Sequence, residues 1–264
     1  MDIVLRVADY YVLTPHVYPA SWVEDDVVRQ FLSLFVISII SGMILYLGCG
    51  VISYQLIFDH NIMNNKLFLK NQVYREISDS LRSIPWMAAP TALLFLAEVR
   101  GYSKLHEKFE FSAFEWLCFA SSAVTFILFT DMCIYWIHRG LHHKAVYKTF
   151  HKPHHTWIVP SPFASHAFHP VDGFLQGFPY HLYVFLFPLH KVLYLSLYVL
   201  VNIWTVSIHD GARAVPKPLA CLVNGAAHHS AHHRYFDCNY GQYLTFWDKV
   251  GGSYRKPDEE LKDE

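Results

Sequence analysis

Three histidine clusters constrain the fold of this 264-residue chain more than any other feature. They are the segments HRGLHH, HKPHH and HHSAHH, whose histidines are His138, His142, His143, His151, His154, His155, His228, His229, His232 and His233. Neutral imidazole is the commonest metal ligand in proteins, so the clusters indicate bound transition metal. To share metal, all three must lie on the same side of any membrane that the chain crosses.

Long apolar stretches adjoin the clusters and predict an all-α membrane protein. The chain is 53% hydrophobic and only 16% charged, whereas average soluble domains are about 25% charged. A membrane-spanning helix needs about 20 apolar residues. The candidate stretches are residues 31–54, 84–99, 117–137 and 174–208. We expect the second, which opens with Pro85 and Pro90, to span the membrane rather than to enter it and return.

The last stretch, residues 174–208, is too long for a single crossing. A turn at residues 188–191 would divide it into a helical hairpin and return the chain to the side of the first two clusters. The sequence therefore predicts about four transmembrane helices, including the hairpin, with a histidine-rich cap that holds a di-metal site. We expect residues 1–264 to form a single integral-membrane domain, with its histidine-rich catalytic part at about 124–255.

Basic residues predict which side the cap faces. Eight of them lie in the loop after the first apolar stretch and around the first two clusters: Lys66, Lys70, Arg75, Arg82, Arg139, Lys144, Lys148 and Lys152. The positive-inside tendency then places the clusters in the cytosol, although Arg100, Lys104 and Lys108 oppose this assignment. The formal net charge of −1 gives no support for a nucleic-acid partner.

Spacing within the clusters matches one face of a helix. Residues three and four apart lie next to each other on a helix surface, and both HxxHH motifs, beginning at His151 and His229, have that spacing. Pro153 is tolerated only in the first turn of a helix, so we expect His151 near a helix start. His143 and His228 each have a neighbouring histidine that is better placed to bind metal. Either residue is therefore a ligand or has no role at the metal.

The residue types that are absent from the clusters limit the identity of the metal. Structural zinc sites use cysteine freely, and soluble di-iron bundles use Glu-x-x-His pairs, but neither pattern occurs in the clusters. Two non-haem irons fit best, and zinc is able to occupy the same ligands in a purified sample. His209, at the end of the last apolar stretch, is a predicted additional ligand.

Carboxylates near the clusters are predicted to accept ring N–H groups from the metal-binding histidines. Asp131, two turns before His138, is the best candidate, and Asp210 and Asp172 are weaker ones. His166 and His169 would either bind metal or order their own loop. The isolated histidines are expected to have no role at the metal: His16, His60, His106, His181 and His190.

Four segments resemble the fatty acid hydroxylase and sterol desaturase superfamily, and in particular its sterol C-5 desaturases. They are FTDMCIYWIHRGLHH, HKPHHTWIVPSPFASHAFHPVDGFLQ, VNIWTVSIHDG and NGAAHHSAHHRYFDCNYGQYLTFWDKVGGSYR. The resemblance implies a four-helix anchor in the endoplasmic reticulum membrane with a cytosolic cap. The family's ligand pattern falls on His138, His142 or His143, His151, His154, His155, His229, His232 and His233. His209 matches a further family histidine, and His228 lies beside the pattern.

The resemblance also implies an activity. Members introduce the C-5(6) double bond into a Δ7-sterol during sterol and cholesterol biosynthesis, with O2 and with electrons from cytochrome b5 and its reductase. An apolar sterol would enter from the bilayer. Four aromatic residues are candidates for its channel, or for ordinary core and lipid contacts: Trp157, Phe163, Phe168 and Trp204.

Three other functions stay open on the sequence. Histidine spacing does not separate desaturation from hydroxylation, so a sterol or fatty acyl hydroxylase is the nearest alternative. A metal-ion transporter would place its histidines within the spans, whereas these clusters border them. A bis-haem electron carrier would need axial histidine pairs on facing helices.

Overall fold

Helices account for nearly all of the regular structure in the computed structural model, which describes residues 1–211, 215–216 and 218–257. The helices are α1 (Asp2–Ala8), α2 (Thr14–His16), α3 (Val27–Leu56), α4 (Gln72–Val99), α5 (Ala113–Leu141), α6 (Lys144–Val146), α7 (Pro170–Leu186), α8 (Lys191–Ile208), α9 (Ala226–Tyr235) and α10 (Phe246–Val250). Two short strands, β1 (Leu105–His106) and β2 (Leu189–His190), pair in parallel. The prediction of a mostly helical protein is confirmed.

Within the described ranges, α3, α5 and α8 are long and apolar enough to cross a membrane. The predicted stretches 31–54 and 117–137 lie inside α3 and α5. The second stretch does not begin at its prolines, because α4 already begins at Gln72 and continues through Pro85 and Pro90. Each proline removes one backbone donor from the helix, but α4 packs closely along α3 and its small residues Ala88 and Ala92 are buried.

The long helices pack through large apolar side chains that the apolar stretches supply. Leu34 of α3, Phe126 of α5, Val184 of α7 and Leu189 of β2 are completely buried in one cluster. Within a bilayer, close packing of such side chains holds helices together, because lipid tails are as apolar as the side chains and supply no hydrophobic driving force. This shared core fixes the ends of the helices relative to one another, and the histidines lie at those ends.

The predicted turn between two helices is present, and of the two helices α8 is the one long and apolar enough to cross a membrane. Helix α7 ends at Leu186 and α8 begins at Lys191, with β2 at the turn between them. Because β2 pairs with β1, the turn lies beside the connection between α4 and α5. Lys191 Nζ also lies 2.7 Å from Glu107 Oε1 in that connection. These connections therefore share one end of the helices, and the three histidine clusters occupy the other end.

This topology makes a prediction about sidedness. Cysteines placed at Tyr102, in the α4–α5 connection, and at Lys144, beside the first histidine cluster, should lie on opposite sides of the membrane because α5 separates them. In a background without the native cysteines, a membrane-impermeant maleimide should label only one of Tyr102→Cys and Lys144→Cys in sealed vesicles. Both should react after permeabilisation. Equal labelling in sealed vesicles would contradict the topology.

Candidate metal centre

Nine histidines converge into two adjacent groups. Group one contains His138, His142, His151, His155 and His232, and group two contains His154, His209, His229 and His233. Within each group the candidate ligand atoms all lie within 4.8 Å of one another. The groups also touch, since the rings of His155 and His233 have centroids 5.0 Å apart. The fold thus collects imidazoles from all three clusters into one place.

Each HxxHH motif is divided between the groups. On α9, His229 and His233 belong to group two, whereas His232 belongs to group one. Residues four apart on a helix differ by about 40° in direction, but neighbouring residues differ by about 100°. One short helix therefore presents ligands to two centres. His151 and His155 likewise share group one, while His154 joins group two.

The second cluster does not begin a regular helix, so the expectation for His151 was wrong. His151 ends a π-helical segment, Tyr147–His151, and His154 begins a 3-10 segment, His154–Thr156. Pro153 lies between them and has no N–H with which to continue the first segment. The wide turn is closed by Lys152 N, which donates to Tyr147 O at 2.8 Å.

The hydrogen bonds of two rings in group one fix which nitrogen faces the group. His138 Nδ1 donates to Tyr240 O at 2.9 Å, and His151 Nδ1 donates to Asp172 Oδ2 at 2.7 Å. In the neutral rings the Nε2 atoms therefore carry lone pairs, and they lie 3.1 Å apart. Two acceptors at that distance repel unless a cation lies between them.

Two further rings repeat this arrangement. His209 Nδ1 donates to Thr205 O at 2.7 Å, and its Nε2 lies 2.9 Å from His229 Nε2. His232 Nδ1 donates to Cys238 O at 2.7 Å, and its buried Nε2 has no hydrogen-bond partner among the described residues. A buried acceptor without a partner costs about 1–3 kcal/mol. A metal ion would satisfy these lone pairs.

Burial keeps these imidazoles neutral. Desolvation, assisted by neighbouring histidines, lowers the pKa of His142, His154, His155, His229, His232 and His233. Desolvation also lowers the pKa of His209 to about 4. Only the neutral ring binds metal, so the groups are in their ligating form near neutral pH. The residues present therefore fit two transition-metal ions with histidine ligands.

The other predicted histidines lie outside both groups. His143 is exposed, and its Nδ1 accepts from Ala145 N at the start of α6. His228 is buried beside the Tyr254 ring, and its Nε2 has no hydrogen-bond partner in the described part of the chain. His166 bonds to Asn202, and His169 caps α7 through Val171 N. The isolated histidines also lie elsewhere, as expected: His16, His60, His106, His181 and His190.

The carboxylates need a correction. Asp131 does not accept from an imidazole, because its Oδ1 accepts the backbone N–H groups of Tyr243 and Leu244 at 2.7 and 3.2 Å. Asp172, which we predicted as a weaker candidate than Asp131, does accept a ring N–H, from His151. Asp210 Oδ2 accepts from Ser53 Oγ at 3.3 Å.

Sequence reasoning missed the segment formed by residues 240–244. Asp248 accepts from Tyr240 N and Gly241 N, and Asp131 accepts from Tyr243 N and Leu244 N. The segment is thereby fixed where the Tyr240 carbonyl orients His138. Every residue has a backbone carbonyl, so no residue type in the sequence points to this acceptor.

A cavity leads from the histidines into the helices. His138, His154, His209 and His229 line one end. The walls come from α3, α4, α7 and α8, with Gly42, Met87, Gly177 and Tyr198 among them. Of the four predicted channel aromatics, Phe168 lines the cavity. The others are used elsewhere: Phe163 packs on Tyr46, Trp157 Nε1 donates to Ala167 O, and Trp204 Nε1 donates to Gln242 O.

The contact between Asp172 and His151 makes a prediction about metal affinity. Asp172→Asn should weaken metal binding by about 10- to 100-fold, because the charged acceptor that orients the ring is lost. Competition with a chromophoric chelator for zinc would measure this change. Asp79→Asn, at an exposed carboxylate on α4 that pairs with Arg82, is the matched control and should leave affinity unaltered. Wild-type affinity in both variants would contradict the assigned role.

Comparison with known proteins identifies relatives of this chain by sequence. The fatty acid hydroxylase family model matches residues 123–253. Human lathosterol oxidase is 58% identical over 260 residues, which are 97% of this chain and 86% of that protein. The mouse protein of the same name is 57% identical over 257 residues, with the same shares.

A more distant relative comes from a fungus. A Delta(7)-sterol 5(6)-desaturase of Aspergillus fumigatus is 53% identical over 256 residues, which are 96% of this chain and 75% of that protein. No solved structure matched the chain. The extent of these matches shows that the chain belongs to the fatty acid hydroxylase family.

Proposed function

We propose that this chain is a membrane-bound non-haem di-iron oxidoreductase that converts lathosterol to 7-dehydrocholesterol by introducing the C-5(6) double bond. The observation that carries the proposal is the pair of all-histidine groups at the end of a largely apolar cavity. The relatives named lathosterol oxidase and Delta(7)-sterol 5(6)-desaturase, which match almost the whole chain, supply the substrate class.

The nine grouped histidines would hold the metal ions. Bound iron with O2 would supply the oxidising power that removal of hydrogen from an unactivated ring carbon requires, which side chains lack. The protein orients the ligands through Tyr240 O, Asp172, Thr205 O and Cys238 O. The buried, neutral imidazoles would limit access of water to bound metal ions.

The cavity walls suit a flat, rigid hydrocarbon. Gly42 of α3 and Gly177 of α7 line it, and no heavy atom lies within 4 Å of a Cβ added at Gly177. Ile84, Met87, Ala88 and Phe174 supply apolar surface. A sterol ring system lies well against such walls, and it would enter laterally from the bilayer between the helices.

Electrons would come from cytochrome b5 and its reductase at the cytosolic face of the endoplasmic reticulum. Exposed lysines surround the second cluster, at Lys144, Lys148 and Lys152. A basic surface next to the metal ligands favours an acidic electron carrier. The same lysines support the cytosolic orientation of the cap.

The family name supports one alternative, a sterol or fatty acyl hydroxylase with the same ligands. Product analysis separates the two, since a desaturase yields a diene and a hydroxylase yields an alcohol. The described geometry gives little support to a metal-ion transporter, because the histidines form two groups at one end of the helices and no series along a path.

Turnover of lathosterol tests the proposal. The iron-reconstituted protein, with cytochrome b5, its reductase and NADH, should form 7-dehydrocholesterol. His154→Ala should insert normally but should form no detectable diene, because group two loses a ligand. His106→Ala, a histidine outside the groups, should retain wild-type activity. Diene formation by His154→Ala at the wild-type rate would refute the role of the centre.

Filling the cavity provides a second test. Gly177→Leu should place a side chain in the space assigned to the sterol and should lower diene formation by at least about tenfold, with metal content unchanged. Gly48→Leu is the matched control, because Gly48 is exposed on α3 and also has open space beside it. Unaltered turnover by Gly177→Leu would show that the substrate binds elsewhere.

A further inference from the structure

Two glutamines line the cavity near its metal end, Gln176 and Gln242. The amide of Gln176 donates to Asp172 Oδ1 at 2.7 Å, and the amide of Gln242 donates to Thr205 Oγ1 at 3.0 Å. Asp172 and the Thr205 carbonyl each accept a ring N–H from a grouped histidine. Each glutamine is therefore connected to a grouped histidine through one intermediate residue, Asp172 or Thr205.

The orientation of the Gln242 amide follows from its partner. Thr205 Oγ1 donates to Val201 O at 2.9 Å, so it has only lone pairs left for Gln242. Gln242 must therefore present its NH2 group to Thr205. Its Oε1 atom has no hydrogen-bond partner in the described ranges, and the side chain lines the cavity.

The position of Gln242 is also fixed. Its backbone carbonyl accepts from Trp204 Nε1 at 2.8 Å, and the next backbone amide, of Tyr243, donates to Asp131. An acceptor that is held in place and left without a donor is ready for a hydroxyl group of a ligand.

We propose that Gln242 Oε1 accepts a hydrogen bond from the 3-hydroxyl group of the sterol and so determines which end of the molecule faces the metals. This inference rests on the proposed function. The hydroxyl oxygen is three bonds from C-5, a distance of about 4 Å, so its acceptor must lie beside the metal groups. Thr205, the partner of Gln242, lies one helical turn, about 6 Å, before His209 on α8.

The far end of the cavity does not meet this requirement. His181 and Tyr198 line it there and are polar, but Tyr198 lies about 16 Å along α8 from His209. A hydroxyl at that end would keep C-5 away from the metals. The hydrocarbon tail of the sterol is therefore assigned to the end near Tyr198.

The surroundings select Gln242 over Gln176. Gln242 bonds to Thr205, which lies one helical turn after Asn202 on α8, and all three polar residues line the cavity. Gln176 instead lies among Gly173, Phe174 and Gly177, which form a flat apolar wall. The ring system belongs against the second wall and the hydroxyl group against the first.

The test compares lathosterol with its 3-methyl ether, which has no hydrogen to donate. Equilibrium binding of both tritiated sterols to detergent-solubilised protein loaded with zinc, which has no redox chemistry, gives a preference ratio that does not depend on catalysis. Wild type should bind lathosterol at least about tenfold more tightly, because the ether leaves a buried acceptor unpaired. In Gln242→Met the ratio should fall to near one, while Gln176→Met, the matched control, should keep the wild-type ratio.

The outcomes separate this inference from the proposed function. A wild-type ratio in Gln242→Met, or loss of the ratio in Gln176→Met alone, would overturn the assignment of the hydroxyl. Gln242→Asn, whose carbonyl is withdrawn by one methylene, should also lose the preference and covers the case that Gln242→Met does not fold. Diene formation is measured separately: its absence in wild type refutes the desaturase, whatever the binding ratios show.

Discussion

The structure depends on imidazole rings whose Nδ1 atoms are held by oxygen acceptors so that their Nε2 atoms face one another. His138, His151, His209 and His232 each donate to a carbonyl or carboxylate. The resulting convergence of lone pairs is unfavourable without a cation, and it is sustained by the packing of α5, α8 and α9 around it. The helices thus hold the rings in an arrangement that a bound metal ion would stabilise.

Chain topology satisfies this demand through the hairpin of α7 and α8. It returns the chain to the face where α5 ends, so that His209 closes α8 beside the ligands of α9. The same helices enclose the cavity, so one arrangement provides both the metal ligands and the binding space. The histidine groups and the cavity are consequently built on the same helices. For example, Gln176, which lines the cavity, donates a hydrogen bond to Asp172, which accepts from His151.

Much of this arrangement could be predicted from the sequence, because apolar length and histidine spacing are local signals. The hairpin turn and the convergence of the three clusters follow from them. The division of each HxxHH motif between two groups does not, since it depends on where α9 lies relative to α5. The role of Asp131 could not be predicted either. Its position near a ligand in the sequence does not indicate that distant backbone amides donate hydrogen bonds to its carboxylate.

Asp131 has a consequence for how the protein is made. An acid inside a spanning helix is costly to insert, by up to about 2.5–3.5 kcal/mol at the helix centre, and Asp131 lies about one turn from the centre of α5. Here that cost is offset by the amides of Tyr243 and Leu244, which the ribosome adds more than a hundred residues later. During translation, α5 is therefore made before the backbone amides that donate hydrogen bonds to Asp131. A chain truncated before residue 243 lacks both amides, so the carboxylate of Asp131 stays without these donors. Cellular quality control would be able to recognise that carboxylate.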